Sequence, residues 1–141
     1  MPIGLILSAC EPPQSRGLKQ GYADLSNAEL LAKLRTMNGT PPEVLNHSEL
    51  MQLMLPVIRA DFAICDNYQY VHEEPYKCSI SVYGGVSDQI ETSTLSDWGQ
   101  LFTGQCLVRL FPGGHFFILE NEELVFSAVQ RDILNFIDLS S

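Results

Sequence analysis

Two short stretches of this sequence place an ionisable side chain directly behind a glycine-rich turn: Gly84-Gly85-Val86-Ser87-Asp88 and Pro112-Gly113-Gly114-His115-Phe116-Phe117. A carboxylate held against an imidazole fixes the ring's tautomer and stabilises its protonated form, which readies a histidine to take a proton from a nucleophile. Glycines let the backbone turn sharply and let neighbouring groups come close. The two residues are 115 − 88 = 27 positions apart, enough for one helix and one strand to bring the second loop back beside the first. Taken singly, Asp88 also fits a loop aspartate that caps the turn after it, and His115 a half-buried histidine satisfied among aromatic neighbours. Together, behind matching turns, they favour the acid and base of a hydrolase.

In α/β proteins such loops lie beyond the carboxyl ends of the strands, so each should follow a strand. Residues 78–83 and 106–111 supply those strands, with 95–102 a short helix between them, which makes a βαβ unit with a right-handed crossover. An earlier strand is predicted at Ile3-Gly4-Leu5-Ile6-Leu7, a continuous apolar run of the kind buried on both faces of a parallel sheet. Between the first and second strands lies a helical block. Ser26-Asn27-Ala28-Glu29 has a reciprocal capping pattern, Leu30, Leu31, Leu34 and Met37 follow at helical spacing, and Gly39 is placed to end the helix in a left-handed conformation. Thr40-Pro41-Pro42-Glu43 predicts a short second helix capped by Thr40 and ending near Asn46. A longer helix over residues 48–65 carries Leu50, Met51, Met54, Leu55, Ile58 and Phe62, with a kink expected at Pro56. The last helix, 122–137, is predicted to bury Leu124, Val125, Ala128, Val129, Leu134 and Ile137, with Glu122 and Glu123 at its positive end.

The chain fits one globular domain: of 141 residues, 45% are apolar and 18% charged, which allows a sizeable core. No apolar run reaches the roughly 18 residues that a bilayer span requires, so no membrane association is expected. Residues 1–10 lack a basic leader and run into Glu11-Pro12-Pro13, which reads as a strand rather than a secretory signal. Seventeen acidic and eight basic side chains give a net charge of −9. That repels phosphate backbones, and nucleic acid is not an expected partner. An acidic carrier domain would be repelled at long range too, although one local basic or apolar patch outweighs this at physiological screening. Cys10, Cys65, Cys78 and Cys106 contain no Cys-x-x-Cys pair, which predicts reduced thiols and a cytoplasmic protein. Neither these nor His47, His72 and His115 show metal-ligand spacing, so no metal or cofactor is expected.

The stretch Leu110-Phe111-Pro112-Gly113-Gly114-His115-Phe116-Phe117 resembles the histidine motif of the type II thioesterases that accompany nonribosomal peptide and polyketide synthases. Gly85-Val86-Ser87-Asp88 is similar to that family's acid loop. Leu55-Pro56-Val57-Ile58-Arg59-Ala60-Asp61-Phe62 resembles its lid helix, and Asn38-Gly39-Thr40-Pro41 with Val44-Leu45 the lid segment before it. The resemblance covers nearly the whole chain. It implies the C-terminal part of an α/β-hydrolase sheet, about three parallel strands, with a helical lid near residues 24–74 over the acyl and phosphopantetheine channel. It implies Asp88 and His115 as catalytic residues and a carrier protein's phosphopantetheine arm as the bearer of the substrate. Asp61 fits a surface charge or a structural hydrogen-bond acceptor, and no catalysis is assigned to it.

The sequence departs from the family in one large respect. Members carry a Gly-x-Ser-x-Gly elbow well before the histidine motif, and none of the serines here lies in such a frame; neither Ser8 nor Ser87 shows the signs of a strained strand-to-helix turn. The first strand reads as the family's sixth, so the oxyanion-hole amides are missing too, and the chain alone is expected to be nearly inactive. Three origins fit: a truncated start, one half of a split enzyme, or a fragment serving as a binding or structural module. The apolar first strand should lie inside the parent sheet and here lacks a neighbour, so it is expected to pair with a separate N-terminal half or a second copy, or to be sheltered by a loop.

Overall fold

The computed structural model describes residues 2–15, 21–37 and 39–140. They fall into two compact units, one formed by Met1–Arg16 with Val71–Ser141 and the other by Gly17–Tyr70.

The first unit is built on a three-stranded parallel sheet in the order β1-β2-β3, with β1 at Gly4–Ser8, β2 at Ser79–Gly85 and β3 at Cys106–Phe111. Register pairs Ser8 with Tyr83 and Tyr83 with Arg109, so the carboxyl ends of the three strands lie side by side. The central strand β2 is buried from Ile80 to Gly85. By contrast, β1 is only partly buried along its length, and Ile3 just before it is 53% exposed. The sequence suggested burial on both faces of that strand. As an edge strand, β1 gains neighbours on one side only.

The connection from β2 to β3 starts earlier than its apolar pattern indicates: α4 spans Thr92–Ser96, and a 3-10 turn at Asp97–Leu101 continues it. Leu95 and Phe102 pack with Ile80 and Val82 on one face of the sheet. The opposite face carries Tyr83, Phe111 and Phe117 against Val125 and Ala128 of α6, Glu122–Ser140, which follows the short helix α5, Phe117–Glu120. Burying side chains of this size stabilises the fold by roughly 1.5–3 kcal/mol each.

The predicted face of α6 needs correction. Leu124, Leu134 and Ile137 are 56%, 63% and 46% exposed, whereas Val125, Ala128, Asp132 and Phe136 are buried. Those four recur at helical spacing, and two contacts decide the rotation. Phe136 fills the space that a side chain at Gly4 would take, and Asp132 accepts hydrogen bonds from Tyr83 and Arg109.

In the second unit, α1 (Asn27–Met37) begins with the predicted reciprocal cap: the Ser26 amide donates to Glu29 Oε2 at 2.9 Å, and the Glu29 amide donates to Ser26 Oγ at 3.3 Å. The expectation for Gly39 rests on its junction with Asn38, which lies outside the described residues. The short α2, Pro42–Leu45, starts with Pro42 in its first turn and Pro41 at the cap, not Thr40. The long α3, Ser48–Asn67, runs unbroken through Pro56, and its cap is His47, whose Nδ1 accepts from the Leu50 amide at 3.2 Å. Leu30, Leu34, Leu45, Met51 and Leu55 form this unit's core. The other side of α3 leaves Leu53, Val57 and Ile64 exposed, and Asp61 is exposed as well. Among the described residues, no helix is long and apolar enough to cross a membrane, and no three His, Cys, Asp or Glu side chains converge as a metal site would require.

Candidate active site

Both glycine-rich loops leave the carboxyl end of the sheet and are tied to each other by their backbones. The Val86 amide donates to Phe111 O and the Ser87 amide to Gly113 O, each at 2.9 Å, while the Asp88 amide closes a turn on Gly85 O at 3.2 Å. Asp88 thereby points toward the histidine loop. His115 Nδ1 lies 3.0 Å from Asp88 Oδ2. The carboxylate is 5% exposed and the imidazole 49%, so the acid is sheltered while the ring reaches solvent. An ionised carboxylate only accepts, so in the neutral ring Nδ1 carries the proton and donates it to Asp88. Nε2 is then the nitrogen with a lone pair. This tautomer follows from the hydrogen-bond geometry.

Glycine is required at Gly85 for a specific steric reason. A Cβ there would come within 2.6 Å of Gly113 O and 2.8 Å of the Gly114 carbonyl carbon. Those are backbone atoms and cannot swing aside. Gly113 has φ +98°, a conformation costly for a residue with a side chain, and Glu120 occupies the space a Cβ would need. We therefore expect Gly85→Ala to push the loops apart, costing about 1–3 kcal/mol by overpacking. Thermal melting would show the stability loss, and imidazole 15N shifts would show loss of the His115 to Asp88 hydrogen bond; a variant with both unchanged would refute this account of Gly85.

Beneath the histidine loop the packing is aromatic. Phe117 is fully buried and stacks on Phe111 with centroids 5.1 Å apart and planes 3° from parallel, and Phe111 meets Tyr83 at 5.2 Å. Phe116 turns outward and meets the His115 ring edge-on. The Asn121 side chain donates to Pro112 O at 2.8 Å and to Phe117 O at 3.0 Å, holding the loop to the end of α5.

The sequence reading did not single out the cluster below this column. Asp132 is 0% exposed, accepts from Tyr83 Oη at 2.7 Å, and receives Arg109 Nε at 3.0 and 3.1 Å with the Arg109 Nη2 bridge beside it. Burial pushes the Asp132 carboxyl up, but hydrogen bonds from Arg109, Tyr83 and Ser81 outweigh it and hold the group below the usual carboxylate range. Burial and then Asp132 beside it push the Tyr83 hydroxyl well up. A carboxylate on an otherwise amphipathic helix reads as surface by sequence pattern, and only its spacing from Val125, Ala128 and Phe136 hinted otherwise.

Of the serines near the strand ends, Ser87 is exposed in the acid loop. Ser8 Oγ is buried without a hydrogen-bond partner, and Ala9 after it has φ +48°, the one non-glycine residue at positive φ among those described. Nothing in the residue types around Ser8 predicts strain there. The chain continues past Ala9 through Cys10 and Glu11 without forming a helix, so this bend is not a strand-to-helix nucleophile elbow.

The family described as Thioesterase domain matches residues 1–133. The gramicidin S biosynthesis protein GrsT of Aneurinibacillus migulanus is 37% identical over 122 residues, which cover 86% of this chain and 48% of that protein. Among solved structures, ClbQ from the colibactin NRPS/PKS pathway superposes with a TM-score of 0.87 at 25% identity, covering 99% of this chain and 59% of that one. The type II thioesterase BorB from the borrelidin biosynthetic cluster does so with a TM-score of 0.79 at 28% identity, covering 92% and 53%. The chain thus spans about half the length of the curated relatives it matches. It belongs to the thioesterase family, has the α/β-hydrolase fold, and is similar over about half their length to type II thioesterases of nonribosomal peptide and polyketide pathways.

Proposed function

We propose that this chain supplies the base and its orienting acid for hydrolysis of acyl thioesters from the phosphopantetheine arm of a carrier protein, in the editing or release steps of nonribosomal peptide or polyketide synthesis. The observation that carries this reading is the 3.0 Å contact between His115 Nδ1 and the sheltered carboxylate of Asp88. His115 Nε2 takes the proton of a serine hydroxyl as its oxygen forms a bond to the thioester carbonyl carbon. The imidazolium returns that proton to the departing pantetheine thiol, leaving an acyl-serine ester. Water attacks this ester with the same histidine as base, releasing the acid and the free serine. Asp88 keeps the ring in one tautomer and stabilises its charge in both half-reactions.

The serine in this scheme comes from a Gly-x-Ser-x-Gly segment such as members of the family carry, whether on a separate polypeptide or on further residues of the same one; the 141 residues contain none. We take the unit Gly17–Tyr70 as the lid expected near residues 24–74, a reading supported by the apolar surface that the exposed Leu53, Val57 and Ile64 of α3 present. A second reading, favoured by the one-sided pairing of β1 and the exposure of Ile3, is a non-catalytic module that dimerises through that edge or holds carrier domains. Mixing the chain with a polypeptide bearing the Gly-x-Ser-x-Gly half distinguishes the two. Release of free thiol from an acyl-pantetheine substrate is expected only in the mixture. Silence there, together with a symmetric dimer of the chain alone, would favour the second reading.

A further inference from the structure

We propose that Asp132 is a positioning residue for the His115–Asp88 pair: by clamping Tyr83 and Arg109, direct register partners on β2 and β3, it sets the height and tilt of the two loops that those strands lead into. The placement is close. Asp88 follows Tyr83 by 88 − 83 = 5 residues and His115 follows Arg109 by 115 − 109 = 6. The carboxylate reaches from α6 to both strands at one level of the sheet, since Tyr83 and Arg109 face each other across the ladder. From Tyr83 the connection continues through the rings of Phe111 and Phe117, the second of which lies two residues beyond His115.

Stability alone does not account for such a cluster. A fully buried carboxylate and its partners are often replaceable by apolar side chains of similar volume without loss of stability, because desolvation offsets much of the attraction between them. What an apolar substitute lacks is direction. Hydrogen bonds weaken steeply as their angles depart from linear, so Asp132 admits one relative setting of Tyr83 and Arg109, whereas an apolar contact tolerates sliding. The hydrogen bond from Nδ1 to Asp88 needs that definition, because it too weakens as the loops slide out of alignment.

The test uses the full chain and reads the His115 ring nitrogens by long-range 1H–15N correlation at a pH where the ring is neutral. A triple variant, Tyr83→Phe with Arg109→Met and Asp132→Leu, keeps the volume and removes the clamp. We expect it to melt at or above the wild-type temperature while the population protonated on Nδ1 falls about two-fold or more. An unchanged His115 signature in the folded triple variant overturns the proposal. If the triple variant fails to fold, Tyr83→Phe alone removes one hydrogen bond and keeps the ring, and is read in the same way. Ile80→Ala, in the core on the other face of the sheet, controls for general loosening: an equal loss of the Nδ1–H form there also overturns the proposal. The catalytic meaning of the clamp rests on the proposed function, but the tautomer does not. In the complemented enzyme the triple variant is expected to lower kcat with KM little changed. Loss of the tautomer with kcat intact would uphold the clamp and remove His115 from the chemistry.

Discussion

Replacing His115 with alanine in the complemented thioesterase is expected to lower kcat/KM for acyl-pantetheine hydrolysis by about 10³-fold or more, nearly all of it in kcat. Asp88 engages Nδ1 of the half-exposed ring, which leaves Nε2 for the chemistry, and no other described side chain pairs with Asp88 Oδ2 in its place. Asp88→Asn should be comparably damaging. An asparagine amide can turn its NH2 toward Nδ1, which favours the tautomer with the proton on Nε2, where it cannot accept one. Single-turnover kinetics with both variants would separate acylation from deacylation, and both phases should slow because one histidine serves both. Turnover of His115→Ala at the wild-type rate would remove the histidine from its role as base.

The second large effect concerns stability. Asp132→Ala leaves the Tyr83 hydroxyl, 1% exposed, and the partly buried Arg109 guanidinium without their acceptor. Breaking one side of such a cluster costs about 3–5 kcal/mol, which in a chain of this size lowers Tm by roughly 10–20 °C. Proton linkage gives this loss a pH signature. The Asp132 carboxyl in the fold lies below its unfolded value, near 3.9. Its contribution is therefore complete above that unfolded value and disappears as pH falls through the folded one. Wild-type stability should drop on acidification below about pH 4, and Asp132→Ala should be flatter over the same window. On the alkaline side the Tyr83 hydroxyl is held up, so above about pH 10 the unfolded chain ionises first and stability falls. Urea melts from pH 2.5 to pH 11 (on the order of ten conditions) would trace both limbs. An acid limb in Asp132→Ala as steep as the wild type's would mean that the carboxylate is not what titrates.

Much of this was legible from the sequence wherever the governing physics is local. The Ser26–Glu29 cap depends on four consecutive residues and forms as expected. The parallel strands follow from apolar runs separated by a helical stretch, and the meeting of Asp88 with His115 follows from strand ends lying side by side. What escaped was decided by contacts between distant segments. The rotation of α6 depends on Gly4, 132 residues before Phe136 in the chain (136 − 4), and on a cross-strand pair that turns a carboxylate inward. His47 shows no ligand spacing in the sequence, and nothing there marks it as a cap; in the fold it caps α3, because its ring nitrogen lies where the Leu50 amide needs an acceptor. Ala9 gives no sign of its positive φ in composition; the bend shows only once β1 is fixed beside β2 by the Ala9 amide bonding to Tyr83 O.

The contact of Gly85 with the carbonyls of Gly113 and Gly114 bears on how such a site can diversify. There the two loops meet main chain against main chain, above strands that Asp132 ties together through Tyr83 and Arg109. Val86, Ser87 and Phe116 stand on the same two loops and point into solvent. Their identities can change without touching the backbone contacts that bring Asp88 beside His115.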